Sequence, residues 1–480
     1  MAKSIAPQPD HLYIQVADRI EKMIDDDVLH IGDKLQSVRL LSEESGISMG
    51  TAFQAYYHLE GRGLIESRPK SGYYVRFSHK RFPSIPENIQ TDLLSHDVSV
   101  KEMITSIYTD ITATSGINFA LAVPDRSLLP AAKINKSVLF ALRNGLDHCT
   151  GYEQTQGNLE LRKQVAKLAF NWGGKIKPEE VIITAGCMEA IIMCLQAVTI
   201  YGDTIAVECP TYFGIYQAAE SLGLKVVEIR TDPISGAQPD SLKKLIKKFD
   251  VKACVLVPNF NNPLGSLMPD DIKKQIVEII TLHNIPLIED DIYGELHFGK
   301  YRPKACKYYD TKGLVMHCSS LSKSLSPGYR IGWAIPGKFM EVVRQVKRIH
   351  NISSPTLTQA AMAHFLQHGR YEYHLKNLRK ALFTQSLRYV QAIIKYFPAD
   401  TKVSRPGGGF ILWLELNNKV DAFKLRSEAM KYKISIVPGK IFSTGSKYKN
   451  FIRISFGKPW SDEADEGLMI LGKLIYKLCE

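Results

Sequence analysis

Seven short apolar, β-branched runs mark the chain at 181–184, 204–207, 225–228, 253–257, 286–288, 314–318 and 331–335, with helical apolar spacing in the intervals. Strand and helix alternating in this way hold the chain to an α/β fold, a seven-stranded, mainly parallel sheet wrapped by helices on both faces. Ligands of such sheets collect at the carboxyl ends of the strands, so the residues after each run are where chemistry is expected.

After the first run, Ala185-Gly186-Cys187-Met188 turns into a helix, whose free N–H groups and dipole make an anion site. After the second, Tyr212 either stacks on a heteroaromatic ring or packs in the core. The fourth leads into Asn259-Phe260-Asn261-Asn262-Pro263-Leu264-Gly265, a turn able to point an amide inward. The fifth leads into Glu289-Asp290-Asp291-Ile292-Tyr293. A buried carboxylate there keeps a pyridine nitrogen protonated, and a tyrosine three residues on hydrogen-bonds a phenolic ring oxygen.

The sixth run opens the stretch 319–333, Ser-Ser-Leu-Ser-Lys-Ser-Leu-Ser-Pro-Gly-Tyr-Arg-Ile-Gly-Trp. Lys323 sits among small hydroxyl residues, and Arg330 follows across a Pro-Gly turn. A desolvated lysine has a depressed pKa and condenses with an aldehyde, while hydroxyls and a guanidinium fork hold a phosphate dianion. These are the two handles of pyridoxal 5'-phosphate (PLP).

At 480 residues the chain exceeds one hydrophobic core, so two or three domains are expected. No apolar run approaches the roughly 18 residues of a membrane span, and the first ten residues lack the apolar centre of a signal peptide. No membrane partner and a cytoplasmic location are expected. Eight cysteines with no CxxC pair fit reduced, buried thiols, and no structural metal is expected. The net charge is +12, divided as −2 over residues 1–78, −2 over 79–115 and +16 over the rest. That excess points to a polyanionic partner.

Within the first segment, Leu12, Val16, Ile20, Met23 and Ile24 lie at helical spacing. Ser37 opens a second helix that Gly46 ends, and Ser48 caps a third that runs through Leu59. Residues 63–75 read as two short strands around a basic Pro/Ser/Gly turn, a helix-turn-helix followed by a wing. Six basic residues and one acid between 61 and 81 give the segment a positive edge for phosphates. Residues 79–115 are polar, with one weak helical stretch at 100–111, and read as a flexible tether reaching on the order of 30–35 Å.

The run 12–75, with Leu35-Gln36-Ser37-Val38-Arg39, Ser48-Met49-Gly50-Thr51 and Arg68-Pro69-Lys70-Ser71-Gly72, resembles the winged helix-turn-helix of GntR-type transcription regulators. The resemblance implies double-stranded DNA as a partner, touched by Arg39, Ser48, Thr51, Arg68 and Gly72. Gln36 stands where that family usually has proline, and Met49 where it usually has arginine.

Residues 116–480 resemble fold-type-I PLP-dependent aminotransferases, ending in a small α+β subdomain. By that resemblance Lys323 is the cofactor-linking lysine, Asp290 the partner of the pyridine nitrogen, and Asn262 and Tyr293 partners of the ring oxygen. Tyr212 is the stacking ring, while Gly186, Cys187, Ser320 and Arg330 form the phosphate cradle. Tyr152, in Gly151-Tyr152-Glu153-Gln154-Thr155-Gln156-Gly157, reaches the phosphate of a neighbouring subunit, which implies a homodimer. Arg453 grips a substrate or effector α-carboxylate.

A winged helix at 10–78, a linker at 79–115 and an aminotransferase-like domain at 116–480 together resemble the MocR subfamily of regulators. The resemblance implies a transcription regulator that senses PLP, or an amino acid or amine condensing with it. An active aminotransferase with an appended DNA-binding domain is the alternative, and a PLP-free dimerisation scaffold ranks third.

Overall fold

The computed structural model describes residues 12–68, 71–76, 83–89, 94–97, 116–144 and 150–480, apart from 27, 31 and 446. The weak helical stretch expected at 100–111, Pro69 and Lys70 of the wing turn, and Cys149 lie outside these residues.

The first helix, Leu12–Asp25, buries Ala17, Ile20 and Ile24 one turn apart. Val38–Ser45 starts on Ser37, whose hydroxyl accepts the Leu40 N–H, and stops at Gly46 with φ 61°. Glycine takes that left-handed turn without a Cβ clash. Met49–Gly61 starts on Ser48 in the same manner. Ile65–Arg68 and Gly72–Val75 then pair antiparallel as the wing, with Arg68 opposite Gly72. The small core of Ala52, Ala55, Tyr56, Leu59, Leu64, Ile65 and Val75 also takes in Leu387, from the long helix Arg370–Tyr396 of the large domain.

The tether expected over 79–115 is corrected in part, because described pieces of it are docked. Ser95–Asp97 adds an antiparallel strand to the edge of the large sheet, beside Lys225–Asp232. Upstream, Ser84 O accepts the Val403 N–H at 2.9 Å. The Glu87 N–H donates to Glu415 at 2.6 Å, and Lys402 bridges both glutamates. Polar composition suggests a solvated coil, but the backbones of Ser84, Glu87 and Ser95–Asp97 find hydrogen-bond partners on the large domain.

All seven expected strands are present, in the order Lys225–Asp232, Thr204–Cys209, Val251–Leu256, Leu287–Asp290, Val315–Ser320, Gly332–Ile335, Ile182–Thr184. The first five run parallel, and Gly332–Ile335 is antiparallel to both neighbours. Side chains alternate between two cores. Ile205, Val207, Val255 and Ile288 pack with Ile191 and Leu195 of the helix Cys187–Val198. Ala206, Cys254, Leu256 and Leu287 pack on the opposite face, with Leu242 and Leu245 of Pro239–Lys248 and Ile276 and Ile280 of Asp270–Leu282.

The C-terminal part forms a four-stranded sheet in the order Lys402–Val403, Ile411–Glu415, Phe451–Ser455, Val437–Pro438. Ala422–Lys431 and Asp462–Cys479 are its helices. Ile434–Ser435 pairs with Ile117–Asn118, tying this subdomain to the start of the large domain. Among the described residues no helix is long and apolar enough to cross a membrane. The seven described cysteines are free thiols, six of them buried.

Candidate cofactor site

The site gathers where the ends of the strands Leu287–Asp290 and Val315–Ser320 meet the amino end of the helix Cys187–Val198. A cavity of about 220 Å³ there is lined by Cys187, Tyr212, Asn262, Asp290, Tyr293, Lys323, Arg330 and Arg453, eight of the residues expected from sequence.

The consecutive acids Glu289, Asp290 and Asp291 separate by direction. Glu289 accepts the N–H groups of Cys306 and Lys307 at 2.6 and 3.0 Å. Asp291 meets Arg302 at 2.5 Å, His317 at 3.1 Å and the Asn259 amide at 2.8 Å. Only Asp290 lines the cavity. Burial pushes its carboxyl up to about 6, against hydrogen bonds from the Cys187 thiol and the Ile292 N–H, each at 3.2 Å. A carboxyl so buried favours a positive group beside it, which would hold it ionised.

Lys323 Nζ donates to Ala122 O at 2.6 Å. Burial, with Arg453 and then Arg330 adding to it and Asp290 opposing, lowers its pKa to about 8. The free amine that an aldehyde requires is therefore far more available than on a solvated lysine. Burial likewise pushes the Tyr293 phenol up, so it stays protonated as a donor. Arg453, on the strand Phe451–Ser455, donates to Asn262 Oδ1 at 3.3 Å and to Ala120 O. Its guanidinium also lies over the Phe442 ring, 5.6 Å from the centroid.

Gly186 begins the helix Cys187–Val198 with φ 96° and no side-chain cap. A Cβ at Gly186 would strike the Arg330 guanidinium, so the close approach of backbone and cation requires glycine. Arg330 donates to Ala185 O at 2.7 Å and to Ser322 Oγ at 3.3 Å. Ser322 lines the cavity, whereas Ser320 is buried and its hydroxyl accepts the Ser322 N–H at 3.2 Å. Ser322 is not among the residues expected from sequence. Its signal is its place immediately before Lys323 in the same serine-rich run. Tyr152 does not line the cavity and is 85% exposed.

On the winged helix, Ser48 Oγ accepts the Thr51 N–H at 3.1 Å and is hydrogen-bonded to the Thr51 hydroxyl at 2.8 Å. Both residues are thus engaged in the helix cap. Arg39 is exposed and paired with Glu43 at 3.0 Å. Arg68 pairs with Glu66 at 2.9 Å and lies over the Tyr74 ring, while Gly72 takes φ 107°. The helix Met49–Gly61 has no Lys or Arg and carries Met49, Phe53 and Tyr57 exposed along one stripe.

Residues 127–468 match the family model for aminotransferase class I and II, and residues 12–75 match that for bacterial regulatory proteins of the gntR family. The uncharacterized HTH-type transcriptional regulator YdcR of Escherichia coli is 36% identical over 466 residues, 96% of this chain and 98% of that protein. The chain belongs to the MocR subfamily of GntR-type regulators. A second relative, the uncharacterized HTH-type transcriptional regulator YjiR of the same organism, is 34% identical over 98% of this chain and 99% of its own. Among solved structures, LysN, the α-aminoadipate aminotransferase of Thermus thermophilus complexed with N-(5'-phosphopyridoxyl)-L-leucine, superposes with a TM-score of 0.72. It is 26% identical and covers 78% of this chain and 95% of its own.

PLP is the cofactor of this MocR-type domain. The residues present fit it at three points: an amine of lowered pKa, a buried carboxyl of raised pKa, and an uncapped helix end beside Arg330 and Ser322.

Proposed function

We propose that this MocR-type protein is a DNA-binding transcription regulator whose aminotransferase-like domain binds PLP and senses an amino acid or amine through it. One observation carries this reading. Lys323, Asp290 and Arg453 line a single cavity, on a chain whose other end carries, among the described residues, the three helices and two wing strands of a winged helix.

When bound, PLP supplies an aldehyde that condenses with amines and a ring that withdraws electrons. Lys323 offers its free amine and later accepts or returns a proton at Nζ. Asp290 holds the ring nitrogen protonated, and Tyr293 and Asn262 orient the ring oxygen. Tyr212 covers the ring face. Gly186, Cys187, Ser320 and Arg330 form the phosphate cradle, to which we add the Ser322 hydroxyl. Arg453 clamps the carboxylate of the incoming amino acid with its planar fork. Tyr152, projecting into solvent, reaches the phosphate of the second subunit of a homodimer. Arg39, Ser48, Thr51, Arg68 and Gly72 face DNA, with Ser48 and Thr51 acting chiefly through the helix cap they build. In this reading the winged helix spans 10–78, the linker 79–115 and the PLP-binding domain 116–480.

The intact constellation of Lys323, Asp290 and Arg453 also supports a second reading, slow or genuine transamination of an amino acid with a 2-oxo acid. Both readings require the cofactor on Lys323. The purified protein is expected to be yellow, and borohydride to fix the chromophore covalently. Lys323→Ala loses the fixed adduct, and an unchanged adduct in that variant would place the attachment elsewhere.

A further inference from the structure

A second cavity, of about 240 Å³, opens where the winged helix meets the large domain, lined by Arg76, Arg388, Gln391, Lys395, Trp460 and Asp465. It lies far above the roughly 10–15 Å³ that one water needs. Arg76 directly follows the wing strand Gly72–Val75, and Arg388 and Lys395 lie on the long helix Arg370–Tyr396. Three cations from two domains therefore converge on one cleft.

Their local partners leave this charge poorly matched. Among the described residues Arg76 reaches an acid only at 3.9 Å, and that acid, Glu66, is already held by Arg68 at 2.9 Å. Arg388 Nε is buried with no hydrogen-bond partner among the described residues. Lys395 donates to the Tyr396 hydroxyl at 2.8 Å, which in turn donates to Asp465 at 2.7 Å. Among the described residues Asp465 is thus the one acid lining the cleft, and its carboxylate is already engaged. Burial, with Arg388 adding to it, lowers the pKa of Arg76. Two half-buried arginines lining one cleft favour a shared counter-charge, and a guanidinium fork matches phosphate oxygens bidentately. A monoanion would offset only one of them.

We propose that this cleft binds a small phosphate dianion, inorganic phosphate or a phosphomonoester, which bridges Arg76 and Arg388 and ties the wing to the large domain. The Gln391 amide already clips the Arg76 carbonyl at 2.9 Å, so the junction is formed and the anion would lock it. The orientation of the DNA-binding domain then responds to an anion at a site separate from the PLP cavity.

The test uses full-length protein loaded with PLP and reduced with borohydride, so that the cofactor's own phosphate cradle stays filled. Calorimetric titration in chloride buffer with inorganic phosphate, and separately with methyl phosphate, distinguishes free phosphate from a phosphomonoester. One site per chain is expected for at least one of them. Arg388→Gln weakens it roughly tenfold to a hundredfold, as for loss of a charge-assisted pair, and Arg388→Lys restores part of the affinity. Hydrogen exchange in 72–75 and 370–396 slows on phosphate addition in the wild type and not in Arg388→Gln. Visible absorbance before reduction, and melting temperature, report whether the variant folds, and Lys395→Gln gives the same reading if it does not. No binding of either anion by the wild type, or equal binding by the variants, overturns the proposal.

Discussion

Asp290 and Lys323 carry opposite perturbations in one cavity, a carboxyl raised to about 6 and an amine lowered to about 8. The amine makes the first prediction. The rate at which cofactor-free protein captures PLP, followed by visible absorbance, rises with pH through a midpoint near 8, and a midpoint near that of an ordinary lysine would show Lys323 to be solvated. The carboxyl makes the second. Without cofactor the folded state binds the Asp290 proton more tightly than the unfolded chain, so its contribution to stability is full below 3.8 and is lost as pH rises through about 6. Relative to Asp290→Asn, wild-type apoprotein is expected to lose about 2–3 kcal/mol between about pH 4 and about pH 7, measured by urea unfolding. Parallel pH profiles for the two proteins would show that Asp290 is not a strained group. The sequence names Asp290 through its position at the end of an apolar run. It does not reveal how the three acids separate, because that depends on the amides after Ala305 and on Arg302, both distant from a strand pattern.

The strand Leu287–Asp290 and its neighbour Val315–Ser320 are held at their ends by a buried ionic cluster as well as by apolar packing. Burial opposes ionisation of Asp291, but Arg302, His317 and the Asn259 amide outweigh it and hold its carboxyl far below the usual range. A lowered folded pKa means stability present above the unfolded value and lost as acid protonates the group. Removing the cation strands a buried carboxylate, so Arg302→Met is expected to cost about 3–5 kcal/mol near neutral pH, checked by denaturant unfolding. A loss under about 1 kcal/mol would mean that His317 compensates alone. The seven strands are legible in the sequence because their β-branched runs are buried on both faces. The helix caps are legible because serine and glycine carry them locally. The docked linker is not legible, since its strand Ser95–Asp97 and the contacts of Ser84 and Glu87 are satisfied by partners more than a hundred residues away. Ser320 and Ser322 both stand in the serine-rich run, but which hydroxyl faces the cavity is not legible there, because it depends on the turn after the strand.

At the scale of the whole molecule, the DNA-binding segment is acidic overall while the large domain holds the positive excess. If the large domain also faces DNA, fragment 1–78 has a shallower slope of log affinity against log salt than the intact protein, because it neutralises fewer phosphates. Equal slopes would confine the contact to the winged helix. The helix Met49–Gly61 has no Lys or Arg and exposes Met49, Phe53 and Tyr57, so in the proposed reading the phosphate contacts of that fragment would come from Arg39, Arg68 and their neighbours. The central claim is that the PLP cavity governs the DNA-binding end. It is tested most directly by measuring the affinity of full-length protein for a genomically selected operator, with and without PLP and with added amino acids, in wild type and Arg453→Ala. A regulator of this kind shifts operator affinity by about 1–3 kcal/mol with the amino acid that perturbs the PLP spectrum, and Arg453→Ala loses both responses while keeping PLP. Operator affinity indifferent to PLP and amino acid, in a protein that turns over an amino acid and 2-oxo acid pair at about one per second or faster, would contradict it.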